Sequence, residues 1–375
     1  MDTHNKYAKD IIDNDLEYIT NNLNEELIFL EGKDILITGG GGFLGYYLVQ
    51  TLIYWNQKVS ESKKIKLTIY DNFMRGKPSW ITEIEKNSYL KVLLHDITKP
   101  LKKDMPFYSY IIHAASIASP TYYRKYPIET MDANVNGLRF FLDWCVQKKS
   151  QNFNLDGFLF YSTSEIYGDP APDAIPTPET YRGNVSCTGP RACYDESKRY
   201  GETLCVNFAL QYNLPIKIVR PFNNYGPGLK ITDKRVIPDF ARDIFTDRNI
   251  IMHSNGKPTR TFCYVSDAIV GYYKALIKGK DGEAYNIGVD SPEISIAYLA
   301  EQMTHTAKDL FGYQGQVVHQ ASTDSEYLVD NPNRRCPDIT KARRELDYNP
   351  AITLEDGLRR TLIWYKENQE AREEQ

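Results

Sequence analysis

The chain has 375 residues, 42% hydrophobic and 25% charged, with 45 basic against 49 acidic side chains. A chain of this size buries a large core and fits one big domain with a smaller lobe, or two domains. The slightly negative balance gives no support to nucleic acid or an anionic membrane as a partner, so any cations that hold an anionic ligand must be local.

No apolar run approaches the ~20 residues needed to span a bilayer. The stretch "MDTHNKYAKDIIDND" lacks the basic, apolar and small-residue order of a signal peptide. Six cysteines, at 145, 187, 193, 205, 263 and 336, form no Cys-x-x-Cys and no zinc spacing. They read as reduced thiols, with no metal site. These features predict a cytoplasmic protein.

Before Lys33, Ile11, Ile12, Leu16, Ile19, Leu23, Leu27 and Ile28 recur at helical spacing. Residues 1–32 are therefore expected to form one or two amphipathic helices, packed on the main domain as an accessory. From "DILIT" onward the pattern changes to glycines and then a helical run. "KLTIYDN", "KVLLHDI", "SYIIHAAS", "GFLFYSTSE" and "IKIVRPFN" follow as short apolar runs between helical or loop segments. Strand and helix alternating in this way predict an α/β fold, a Rossmann-like doubly wound parallel sheet.

After Pro221 the punctuation loosens at "NNYGPGL", "SNGKPT" and "DNPNRRCPD", where a smaller substrate-binding lobe is expected. The expected division is a Rossmann domain over 33–222 and a lobe mainly over 223–375. The chain should return to the first domain at about 262–290, because "TFCYVSDAIVGYYKAL" and "AYNIG" again read as helix and strand. The tail "KENQEAREEQ" is charged and expected to fray.

"TGGGGFLG" places Gly39, Gly42 and Gly45 between a strand and a helix. The first glycine permits the tight turn, the second lets the backbone approach a pyrophosphate, and the third allows helix and strand to pack closely. The helix N-terminus adds free amides and a positive dipole, so the segment predicts a dinucleotide site. Asp71 ends the next strand, placed for the two ribose hydroxyls of an adenosine, which favours NAD over NADP. Arg75 tempers that preference, since a guanidinium there can accept a 2′-phosphate. Asp96 in "HDI" reads either as an acceptor for the adenine amino group or as a solvated turn aspartate.

"YDESK" puts Tyr194 and Lys198 four apart, on one face of a helix. Tyr54 and Lys58 share that spacing, but only Tyr194 follows the "STSE" strand end by about one loop. A phenol near pKa ~10 is a poor base at neutral pH. A neighbouring ammonium and a positive nicotinamide ring are expected to lower it. Thr163 can then hold a substrate oxygen between itself and Tyr194 while a hydride leaves the same carbon.

With these motifs in place, the sequence resembles an extended short-chain dehydrogenase/reductase of the NAD-dependent epimerase/dehydratase family. "TGGGGFLG", "STSEIYG", "YDESK" and "RPFNNYGPG" carry the resemblance over roughly residues 33–365. "GPRACYDESKRYGETLC", "TRTFCYVSDAIVG", "RCPDITKAR" and "HAASIASPTYYRKYPIETMDANVNG" are most similar to the UDP-glucuronic acid decarboxylases (UDP-xylose synthases).

The resemblance implies oxidation at carbon 4 of a nucleotide sugar by NAD. The coenzyme would lie on Gly39, Gly42, Phe43, Leu44 and Gly45, on Asp71, Asn72, Asp96, Ile97 and Ala114, and against Tyr194 and Lys198. Related 4,6-dehydratases carry Asp-Glu where this chain has Ser164-Glu165, and that aspartic acid protonates the leaving 6-hydroxyl. Ser164-Glu165 matches the decarboxylases. Arg335 aligns with an arginine implicated in the carboxylate step beside Glu165, with Arg334 an immediate competitor. Arg235 and Arg260 align with contacts to the diphosphate and Asn223 with a phosphate or sugar contact. Tyr264 is either a substrate contact or packing. Relatives dimerise through helices that include the Tyr194 helix, so a homodimer is implied as well.

The inserts "NQKVSESKKIK", "NFMRGKPSW" and "NFNLDG" and the N-terminal segment depart from the family and bear on substrate identity. Two other readings stand: a nucleotide-sugar 4-epimerase or dehydratase on the same scaffold, or a non-catalytic dinucleotide-binding protein.

Overall fold

β-Branched and aromatic runs form a seven-stranded sheet. Its strands are β1 (Asp34–Thr38), β2 (Lys66–Asp71), β3 (Leu90–Leu94), β4 (Tyr110–His113), β5 (Gly157–Tyr161), β6 (Ile216–Pro221) and β7 (Ala284–Ile287). The computed structural model describes residues 7–322 and 329–368. All sheet pairings are parallel, in the order β7-β6-β5-β4-β1-β2-β3. Every residue of β4 and β5 is buried, as expected of central strands covered on both faces by helices. The strand order reverses between β1 and β4, and ligands of doubly wound sheets bind in the crevice at such a switch point.

The helix Phe43–Asn56 leads from β1 toward β2, and the 21-residue helix Ala192–Tyr212 leads from β5 toward β6. Val265–Lys278, a helix buried along nearly its whole length, feeds β7 and returns the chain to the sheet. Beyond the sheet, two-residue strands knit the lobe together. Arg334–Arg335 pairs in parallel with Thr259–Arg260, so that Arg335 lies opposite Arg260. Asn224–Tyr225 pairs with Cys263–Tyr264.

The N-terminal segment folds as the helices Ala8–Asn22 and Asn24–Leu30. Ile11, Leu16, Ile19, Leu23 and Leu27 are buried as their spacing predicts, whereas Ile28 is exposed. These helices do more than cover apolar surface. Asp15 is wholly buried and accepts from Tyr47 on the Phe43–Asn56 helix (2.6 Å), from Tyr264 (2.7 Å) and from Arg360 (2.7 Å). Burial raises the Asp15 pKa, opposed by Arg360 and by the two phenols. Arg360 lies on the helix Leu354–Glu367, which includes the start of the charged tail; residues after 368 lie outside the described residues.

Asp15 thus joins the extension, the glycine-loop helix, the Tyr264 strand and the C-terminal helix. Removing one member of a buried ion pair leaves its partner uncompensated. Asp15→Ala is expected to cost about 3 kcal/mol, read as a lowered urea midpoint. A loss below ~1 kcal/mol would mean that the three donors find other partners.

Candidate active site

The carboxyl ends of the strands open into a cleft of about 1000 Å³. At its floor Gly39 adopts a left-handed φ of 73°, and a Cβ there would lie 2.7 Å from the Ala115 Cα. A Cβ on Gly45 would lie 2.4 Å from the Gly39 carbonyl oxygen. Only hydrogen fits at either place, so the loop backbone and the following helix N-terminus stay open to the cleft. Phe43, Leu44 and Ala114 line the same floor.

Asp71 ends β2 and accepts from the Gly41 amide (2.9 Å) and the Phe73 amide (2.8 Å). Burial raises its pKa against these backbone bonds. Two amides leave further lone pairs on the carboxylate for a pair of hydroxyls. Asn72 and Ile97 line the cleft nearby. Asp96 also lines it, with one oxygen engaged by the amide and hydroxyl of Thr98 at 3.0 and 2.9 Å. Arg75 crosses the cleft and donates to Asp233 (3.0 Å), so its charge is already paired.

β5 ends at Tyr161, and the chain then turns through Thr163, Ser164 and Glu165. Thr163 caps this turn by accepting from the Glu165 amide (3.2 Å). Its hydroxyl also acts on the Tyr194 phenol, favouring the phenolate. Tyr194 is stacked on Tyr123, with centroids 5.0 Å apart and planes 10° from parallel. Lys198, one turn further along the helix, donates to the Tyr161 carbonyl (2.7 Å) and sits 5.9 Å from the centre of the Tyr194 ring.

The protein's own groups work against a phenolate here. Burial raises the Tyr194 phenol well above its ordinary value, only partly offset by Thr163. Burial also brings Lys198 down to about 7, so the ammonium that was to stabilise a phenolate is itself destabilised. Desolvation outweighs the pairing because both groups lie inside the protein rather than at its surface.

The carboxylate side is built from distant segments. Glu165 accepts from both terminal nitrogens of Arg335, one at 2.7 Å, and from Arg191. Burial works to raise the Glu165 pKa, and the guanidinium groups of Arg191 and Arg335 overcome it and hold the carboxyl well below its usual range. Arg334 instead pairs with Glu293 (2.6 Å) and does not line the cleft, so of the two arginines only Arg335 lies at Glu165.

Arg235 pairs with Asp233 at the cleft wall. Arg260 is also in the wall, tied to the Pro332 carbonyl (2.6 Å); burial and then Arg335 bring its pKa down to about 9. Asn223 lines the cleft in a left-handed conformation, φ 43°, held by a 2.8 Å bond to the Thr261 carbonyl. Tyr264 is a correction: it is fully buried and its hydroxyl belongs to Asp15, so it does not reach the cleft.

Sequence reasoning missed Arg191, which lines the cleft, and the buried Asp195 that pairs with it from outside the lining. Burial, then the negative Glu165, raises the Asp195 pKa. With Tyr194 and Lys198 they fall at i, i+3, i+4 and i+7, one face of one helix, and that spacing was the available signal.

The sequence profile of the NAD dependent epimerase/dehydratase family matches residues 35–288. The chain belongs to this family. A UDP-glucuronic acid decarboxylase of Arabidopsis thaliana is 35% identical over 324 residues, 86% of each chain. One of Xenopus tropicalis is 33% identical over 345 residues, 91% of this chain and 75% of that one. Among solved structures, UDP-glucuronic acid 4-epimerase from Bacillus cereus, in complex with UDP-glucuronic acid and NAD, is 26% identical with a TM-score of 0.70. That match covers 89% of this chain and 99% of the other. A dTDP-glucose 4,6-dehydratase from Streptomyces venezuelae, with a TM-score of 0.76 and 23% identity, covers 91% and 99% and shows the shared fold.

NAD is the coenzyme of this family, and the glycine floor, open helix N-terminus and Asp71 fit it. Gly45→Ala is expected to weaken NAD binding at least tenfold in calorimetric titration, since the new methyl must push the loop off the helix. Unchanged affinity would mean that the loop has slack.

Lys198 supplies a test in pH. Between about 7 and its ordinary value near 10.5 the unfolded chain keeps a proton that the folded chain releases. Stability from this group therefore rises with pH across that window. Relative to Lys198→Met, the wild-type urea midpoint should climb from about pH 7 toward 10. A difference that is flat in pH would place the amine in contact with solvent.

Proposed function

We propose that this family member is an NAD-dependent UDP-glucuronate decarboxylase, forming UDP-xylose or its 4-keto form. The observation that carries the reading is the Glu165–Arg335 pair beside Thr163 and Tyr194. It sets a guanidinium for an acidic sugar within the same cleft as the group that handles the carbon 4 hydroxyl. Ser164 supports it, because a serine cannot replace the acid that a dehydratase uses to expel a 6-hydroxyl. The curated relatives at 32–35% identity over most of the chain support it too.

NAD, when bound, supplies a hydride acceptor for carbon 4, a positive ring that favours a phenolate, and later the returning hydride. Tyr194 takes the proton of the carbon 4 hydroxyl, while Thr163 bonds to the same oxygen. Once carbon 4 is a ketone, the carboxylate at carbon 6 is β to a carbonyl. The bond between carbons 5 and 6 breaks, CO₂ leaves, and the electron pair remains as an enolate. Thr163 and Tyr194 hold the enolate oxygen. Glu165 is ionised and Arg335 keeps its charge, so the proton that carbon 5 takes up comes from water reaching the Glu165–Arg335 side of the cleft. Tyr194 would return its proton to the carbon 4 oxygen as that carbon is reduced, completing UDP-xylose, whereas earlier release gives the 4-keto product.

In this reading Arg235, Arg260 and Asn223 receive the nucleotide end, bidentate guanidinium groups suiting phosphate oxygens. The domain division at residue 222, with return of the chain at about 262–290, then separates coenzyme from sugar. We also propose a homodimer and a cytoplasmic location. Tyr200 and Leu210 on the Tyr194 helix and Ile128 beside it are exposed, and all six cysteines are free. No described helix is long and apolar enough to cross a membrane.

Carboxyl-labelled UDP-glucuronate given to the wild-type protein should release labelled CO₂. Tyr194→Phe should slow that release by roughly 10²- to 10⁴-fold. Turnover to a hexuronate epimer without CO₂ would favour the 4-epimerase instead.

A further inference from the structure

Behind the cleft, a buried polar network ties together the segments that carry the site. Glu202 lies one turn past Lys198 and two past Tyr194 on the same helix. It accepts from Ser162, the residue before Thr163, at 2.5 Å. It also accepts from Arg220 at the end of β6, through two parallel bonds of 2.9 and 2.6 Å. Arg220 donates onward to the Tyr167 hydroxyl (2.7 Å), which closes the turn holding Glu165, and to the Glu179 carbonyl (2.9 Å). Tyr167 donates to Asn286 of β7 (2.7 Å), and the Asn286 amide reaches the carbonyls of Thr177 (2.9 Å) and Asp338 (3.0 Å). Thr177 in turn donates its amide to the Cys336 carbonyl, 2.8 Å away and next to Arg335.

Glu202, Arg220, Tyr167 and Asn286 are all buried, and Glu202 and Arg220 do not line the cleft. Neither can touch a substrate. Placing two ions in the interior costs several kcal/mol each in lost hydration, and apolar side chains of similar volume commonly hold a core at least as well. What the pair supplies and a hydrophobic contact does not is direction: two fixed bonds on each partner set the helix in register and rotation.

We propose that Glu202 is a positioning residue for the reaction, setting, through Ser162 and Arg220, the relative placement of Thr163, Tyr194 and Lys198. The inference rests on the reading that those three residues act at carbon 4. A slip of about 1 Å between reacting groups costs on the order of 10²-fold in rate.

The test separates placement from folding. Glu202→Gln should lower kcat about 10- to 100-fold, with KM for the nucleotide sugar within about threefold of wild type. The paired replacement Glu202→Met with Arg220→Met should restore the urea midpoint to near wild type yet leave kcat low. Recovery of kcat together with stability, or a Glu202→Gln variant as fast as wild type, overturns the proposal. If wild type releases no CO₂ from UDP-glucuronate, the reading of the substrate fails. The rate comparison is then made on the nucleotide sugar that wild type does oxidise, followed by absorbance of the reduced coenzyme.

Discussion

The Glu165 carboxylate, held by Arg335 from far along the chain and Arg191 from the neighbouring helix, is the interaction on which the site depends. A buried carboxylate stays charged only when cations repay its lost hydration. That requirement brings the C-terminal lobe down onto the end of β5. The short pairing of Arg334–Arg335 with Thr259–Arg260 is the backbone counterpart of the same contact. One face of the cleft is therefore cationic although the chain as a whole is slightly acidic.

The opposite face depends on absence of side-chain volume. At Gly39 and Gly45 backbone meets backbone so closely that any Cβ would collide. This closeness leaves amides exposed at a helix N-terminus, where negative charge is favoured. Between the two faces stand Thr163, Tyr194 and Lys198, all buried. Burial sets Tyr194 and Lys198 against ionisation, so the chain alone holds the phenol neutral. The charge that favours a phenolate has to arrive with the coenzyme.

The N-terminal helices show how an addition to a common scaffold becomes part of it. Asp15 takes the hydroxyls of Tyr47 and Tyr264 and the guanidinium of Arg360 into one buried cluster. Tyr264, which the sequence left as either a substrate contact or packing, is buried and gives its hydroxyl to that carboxylate. The accessory therefore reaches the framework around the site without entering the cleft.

Local patterns were enough for much of this molecule. Strand runs and glycine spacing determined the parallel sheet and the coenzyme floor, because both depend on residues adjacent in sequence. The Tyr194–Lys198 face followed from helical geometry for the same reason. Tertiary structure alone sent Arg335 to Glu165 and Arg334 to Glu293, from opposite sides of a two-residue strand. It alone brought Arg191 to Glu165, took Tyr264 out of the site, and buried Tyr194 and Lys198 so that the protein by itself disfavours the charged form of each. Each of those outcomes turns on burial and on partners far away in the chain, and neither leaves a periodic mark in the sequence.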